Sequence, residues 1–70
     1  KLMKGEFIIK VGSALVTYDD YDDIPMEFDN LISFKPDAPE PPHSKEDHEE
    51  METYNTKLQK LMRRENASSN

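Results

Sequence analysis

Four carboxylates within five residues, Asp19-Asp20-Tyr21-Asp22-Asp23, and two histidines five apart, His43 and His48, are the side chains here with chemistry to offer. Hard divalent cations take several oxygen ligands, so the aspartate run invites a calcium reading. It lacks the Asp-x-Asp-x-Asp-Gly spacing and the distal bidentate glutamate of a helix-loop-helix calcium site. Acid–base catalysis would need one of these carboxyls raised in pKa by burial, and so dense a run points instead to a solvated loop. Its plainest reading is a solvent-facing loop, then an acidic patch for a partner, and last a cation site.

His43 and His48 stand among Glu46, Asp47, Glu49 and Glu50, a donor set that zinc accepts. Helix capping supplies a simpler role. Ser44-Lys45-Glu46-Asp47 has the form of a capping box, and with Ser44 as N-cap His43 and His48 take the two positions that meet in a hydrophobic staple. The chain has no cysteine, which excludes disulfides and thiolate metal sites. Ser13 and Ser44 have no recognisable base or oxyanion partners, so a non-enzymatic protein with no cofactor and no resident metal is expected. Pro36-x-x-Pro39 and Pro39-x-x-Pro42 match the minimal pattern of a proline-groove ligand, but Asp37 and Glu40 intervene and a linker is the simpler reading. Asn66-Ala67-Ser68 is a formal glycosylation acceptor without a secretory signal to give it meaning.

These residues must be positioned by few elements. Residues 6–18 read as a hairpin in which Gly12-Ser13 forms a two-residue type II′ turn, pairing Val11 with Ala14, Ile9 with Val16 and Phe7 with Tyr18. All six then share one face, opposite a mixed face of Ile8, Lys10, Leu15 and Thr17. After the aspartate run, Ile24, Met26, Phe28, Ile32 and Phe34 alternate on one parity, which predicts a third strand over about Leu31 to Phe34. The four prolines between Lys35 and His43 predict an extended connector.

The spacing predicts one long amphipathic helix over 44–65, with Met51, Tyr54, Leu58, Leu61 and Met62 as its apolar seam. Acidic residues crowd its first half and Lys57, Lys60, Arg63 and Arg64 its last, each sign where the helix dipole favours it. The expected fold is therefore α+β: an antiparallel sheet over residues 1–34, a connector over 35–43, the helix, and a disordered polar tail over 66–70, all one domain. A helix of some 20 residues is about 30 Å long at ~1.5 Å per residue. Strands of five to seven residues span only about 17–23 Å. The helix should overhang the sheet, and its C-terminal turns, with Leu58, Leu61 and Met62, are expected to face another chain.

Seventy residues with a formal charge of −6 bound the function. A chain this small forms a marginal core, which favours a homo-oligomer, most simply a dimer. Net negative charge opposes direct binding to nucleic acid or to an anionic membrane. No apolar run approaches the ~18 residues of a membrane span, so a cytoplasmic protein is expected. The first residue is Lys1 instead of Met, and residues preceding it in the full protein are expected. The expected function is an acidic protein-interaction module, a subunit or regulator of a larger machine. Asp19, Asp20, Asp22, Asp23, Glu46, Glu49 and Glu50 would engage a basic protein surface, in the sharpest variant by imitating nucleic-acid charge. The alternatives are a self-assembling structural protein, of viral or phage type for example, and a divalent-cation-binding protein.

Overall fold

A computed structural model describes residues 3–66 of the chain. Strands β1 (Lys4–Val11) and β2 (Ala14–Asp20) form the hairpin in the expected register, with Val11 opposite Ala14, Ile9 opposite Val16 and Phe7 opposite Tyr18. Gly12 has φ 63° and is the one described position in the left-handed region, so Ser13 is not, as a Gly-first type II′ turn requires. Asp29 locks this turn to the chain that follows. Its carboxylate accepts the Gly12 N–H at 2.6 Å, and its own N–H donates to the Lys10 carbonyl at 2.9 Å.

Strand β3 (Asn30–Pro36) pairs antiparallel on the other side of β1, giving the order β2-β1-β3. It runs beyond the expected Leu31 to Phe34 and takes in Lys35 and Pro36, which the sequence assigned to the connector. Proline is tolerated there because it ends an edge strand. Gly5 makes the close approach of these strands possible. A Cβ at Gly5 would collide with the Lys35 carbonyl oxygen and lie 2.7 Å from the Pro36 Cα and 3.0 Å from the Phe7 ring.

The single-parity reading of 24–34 fails at Ile32. The register shifts between Ile8 and Ile9, so Phe34 faces Phe7 while Leu31 faces Ile9, and Ile32 is the extra residue of a β-bulge. Leu31 thereby joins Phe34 against the core, and Ile32 turns out to 49% exposure. Met26 is 72% exposed, because the segment before Asn30 is irregular and has no strand alternation.

Phe7 and Ile9 from β1, Tyr21, Ile24 and Phe28 from the β2–β3 connection, and Leu61 from the helix make up the buried core. Met3, Val16, Tyr18, Leu31 and Phe34 pack against it. The aspartate run is therefore not a plain loop: Tyr21–Asp23 is a 3-10 turn that drops the Tyr21 ring edge-on against Phe7, centroids 6.1 Å apart, while Asp22 and Asp23 stay exposed.

The helix starts at Ser44 as read from the sequence, with both halves of the capping box formed at 3.0 Å: Asp47 N–H to Ser44 Oγ, and Ser44 N–H to Asp47 Oδ2. It runs from Lys45 to Met62 as α1 (Lys45–Glu52) and α2 (Tyr54–Met62), tightened between them at Thr53. There the Thr53 N–H bonds the Glu50 carbonyl at 3.0 Å and Thr53 Oγ1 donates to the same oxygen at 2.6 Å, the back-bonding by which Thr disturbs a helix interior.

The overhang lies at the opposite end from the one expected. Leu61 is fully buried in its own chain, whereas α1 contributes no buried residue. The C-terminal turn is tied down by backbone bonds on both sides of Phe28, whose N–H donates to the Arg64 carbonyl and whose carbonyl accepts the Asn66 N–H at 2.8 Å. Glu65 adds a bond from the Leu31 N–H to its Oε2 at 2.7 Å. Asn66, expected to begin the disordered tail, is thus held in place; residues 67–70 of that tail lie outside the described residues. Leu61→Ala is expected to cost about 2–5 kcal/mol and the half-exposed Met62→Ala no more than about 0.5 kcal/mol, measured by urea unfolding. The reverse ranking would return the seam to the outside.

Candidate interaction surfaces

The turn at the end of β2 gathers the first acidic group. Carboxylate oxygens of Asp19, Asp20 and Asp23 come within 4.8 Å of one another, with Asp19 and Asp23 exposed and Asp20 half-buried. Lys4, on the neighbouring strand, places its ammonium 2.6 Å from Asp20 Oδ1. Hydrogen bonding to the Asp20 carboxylate, then its charge, holds the Lys4 ammonium above the usual lysine range; Asp19 and Asp23 add smaller contributions in the same direction. The cluster thus carries its own counter-ion, and an incoming cation would compete with Lys4. Asp22 is not part of this cluster and is exposed.

Tyr21 organises the basic side chains at the centre of the same region. Its hydroxyl donates to the Lys57 carbonyl at 3.3 Å, while the Lys57 ammonium sits 4.8 Å and the Arg64 guanidinium 5.6 Å from its ring centroid. Arg64 also donates to the Ile24 carbonyl at 3.4 Å. Such contacts are cation–π interactions worth about 0.5–1 kcal/mol each where partly solvated. Burial pushes the Tyr21 phenol up; Arg64 opposes this, and the negative charge of Asp22 adds to it.

The second acidic group lies on α1. Glu46 and Glu49 are exposed and Glu50 is half-buried, and together with Thr53 and Lys57 they line a shallow open groove along the tightened turn. His43 and His48 meet as a staple should, rings edge to face with centroids 5.5 Å apart, and His43 Nε2 lies 3.0 Å from the Pro39 carbonyl. The carbonyl can only accept, so that nitrogen carries the proton.

The five seam residues do not form one surface. Leu61 is buried, Met51, Tyr54 and Leu58 are half-buried, and Met62 is 47% exposed. Tyr54 also donates to the Asp37 carbonyl at 3.2 Å, which holds the connector against the helix. Sequence reasoning did not single out Lys4, Asp29 or Glu65, whose partners lie far along the chain. Leu15, 64% exposed on the uncovered side of the sheet, was legible as part of the mixed face.

No protein-family model, no curated protein and no solved structure matches this chain.

Because burial favours the neutral phenol, Tyr21 contributes stability that is fully present below the ordinary tyrosine pKa of about 10 and is lost as pH rises through its higher folded value. Tyr21→Phe is expected to cost about 1 kcal/mol at neutral pH for the lost hydrogen bond. Urea midpoints of the two proteins should then converge as pH is raised above the tyrosine range. A constant difference across that range would show that the phenol is not held neutral.

Proposed function

We propose that the chain is a non-enzymatic protein-interaction module, a small acidic subunit or regulator of a larger protein machine, which engages a basic protein surface. The acidic excess and the exposure of its carboxylates support this most. Asp19, Asp22, Asp23, Glu46 and Glu49 are exposed; of the basic residues, Lys4 is engaged with Asp20 and Lys57 and Arg64 lie over Tyr21, while Lys10, Lys35, Lys45, Lys60 and Arg63 are exposed as well. The chain carries a formal charge of −6, and carboxylates at its surface raise the encounter rate with basic partners. In its sharpest form the module inhibits a nucleic-acid-handling protein, its carboxylates standing where phosphates would bind. Among the described residues, no helix is long and apolar enough to cross a membrane.

Charge reversal at Asp22 and Asp23 tests the proposal without disturbing Asp20, which holds Lys4, or Asp19, which lies in β2. With the Asp22→Lys/Asp23→Lys protein as bait in native lysate, salt-sensitive capture of basic partners should fall at least about tenfold, equal to 1.4 kcal/mol, while circular dichroism stays unchanged. Capture equal to that of the unaltered chain would remove the idea.

A further inference from the structure

The two edges of the sheet are finished differently. Along β3, the Leu31 N–H is taken by Glu65, the Ile32 bulge bends the strand and Pro36 ends it, while Phe28, just before the strand, is bridged to Glu65. Each is a device that keeps an edge from pairing with another chain. Strand β2 carries none of them between Ala14 and Tyr18: Ala14-Leu15-Val16-Thr17-Tyr18 contains no proline, no lysine and no register shift, the irregularity opposite β1 falling beyond it between Lys4 and Phe7, and three of its five residues are β-branched or aromatic.

The hairpin sets which groups this edge presents. In a two-residue loop the flanking residues, Val11 and Ala14, exchange hydrogen bonds, and so does every second pair after them. The N–H and C=O of Leu15 and Thr17 therefore point away from β1, and Asp19, opposite the irregularity between Lys4 and Phe7, has no place in the β1 register. Among the described residues, no other element lies beside them.

We propose that β2 is a self-association edge, at which a second copy of this chain pairs antiparallel, Thr17 against Thr17, to join two three-stranded sheets into one. The inference deepens the interaction-module reading by naming one partner. Charge selects the direction of pairing. The strand's own charges, Asp19 and Asp20, lie at one end, so parallel pairing would set them beside their copies, while antiparallel pairing sends them to opposite ends. It also brings Asp19 of the second copy opposite Leu15, whose neighbour on β1 is Lys10 on the same face. Two strand spacings, about 10 Å, are bridged by a lysine and an aspartate, and the two-fold axis makes this ion pair twice. On the core face, Val16 meets Tyr18 of the second copy, a β-branched and aromatic pair that carries the apolar layer across the junction. The shared axis places both helices on the same side of the joined sheet and closes the assembly at two copies.

Sedimentation of the full chain across the micromolar range, with amide exchange followed by NMR, tests this. Expected are a doubled mass and slow exchange at Leu15 and Thr17. Thr17→Pro removes an outward-pointing N–H and no bond to β1, so it should leave a folded monomer that still captures the basic partner. Asp19→Lys should weaken association about tenfold, and adding Lys10→Asp should restore it; this pair carries the test if Thr17→Pro does not fold. A monomer at every concentration, a dimer that survives Thr17→Pro, or no rescue by the charge swap would each overturn the proposal. Capture by the Thr17→Pro monomer separates its failure from failure of the acidic-module reading.

Discussion

The burial of Phe7 and Ile9 on the middle strand is the constraint from which the remaining architecture follows. Both side chains are fully removed from water, yet a three-stranded sheet supplies only its own neighbours, Tyr18, Val16, Phe34 and Leu31, to flank them. The covering layer has to come from the rest of a 70-residue chain. It is assembled from pieces: Tyr21 from a 3-10 turn, Ile24 and Phe28 from an irregular connection, and Leu61 from the end of the helix. A chain of this length has apolar material for one such layer and not two. The opposite face of the sheet carries Glu6, Lys10, Thr17 and Lys35, with Ile8 half-buried and Leu15 exposed among them.

That covering layer also distributes the charges. Tyr21 sits inside the aspartate run and reaches the core, with Asp19, Asp22 and Asp23 left at the surface and Asp20 half-buried against Lys4. Its ring face then receives the Lys57 ammonium from α2 and the Arg64 guanidinium from the turn after it, and its hydroxyl donates to the Lys57 carbonyl, while Lys60 and Arg63 stay exposed. Core packing and the outward acidic charge thus share one residue. The acidic half of the helix, held by its capping box and the His43–His48 pair, projects beyond the sheet and makes the molecule long, 41 Å by 19 Å by 15 Å.

What was legible in the sequence had partners close by. The hairpin register follows from Gly12-Ser13 and alternation, the N-cap from Ser44 and Asp47, and the staple from the five-residue spacing of His43 and His48. The third strand was legible in position, but not in its bulge. Parity from Ile24 to Phe34 marks Ile32 as a core residue, and only the pairing of Leu31 with Ile9 shows that it is not. Of the candidate surfaces, the exposure of Asp22, Asp23, Glu46 and Glu49 was readable from charge density. The engagement of Asp20 with Lys4 was not, because their meeting requires β1 and β2 to be paired first.

The direction of the helix overhang gives the clearest division. Sequence periodicity by itself determined that a long amphipathic helix follows the sheet and that its length exceeds that of the strands, because both depend on spacing along one chain. Which end of the helix is buried was decided by tertiary structure. Leu61 and Met62 are adjacent and equally apolar to a sequence reading, but Phe28 anchors Arg64 and Asn66 from more than thirty residues away and turns Leu61 alone into the core. Hydrophobic burial has no direction along the chain, and the backbone bonds that choose its direction join segments whose proximity exists only after folding.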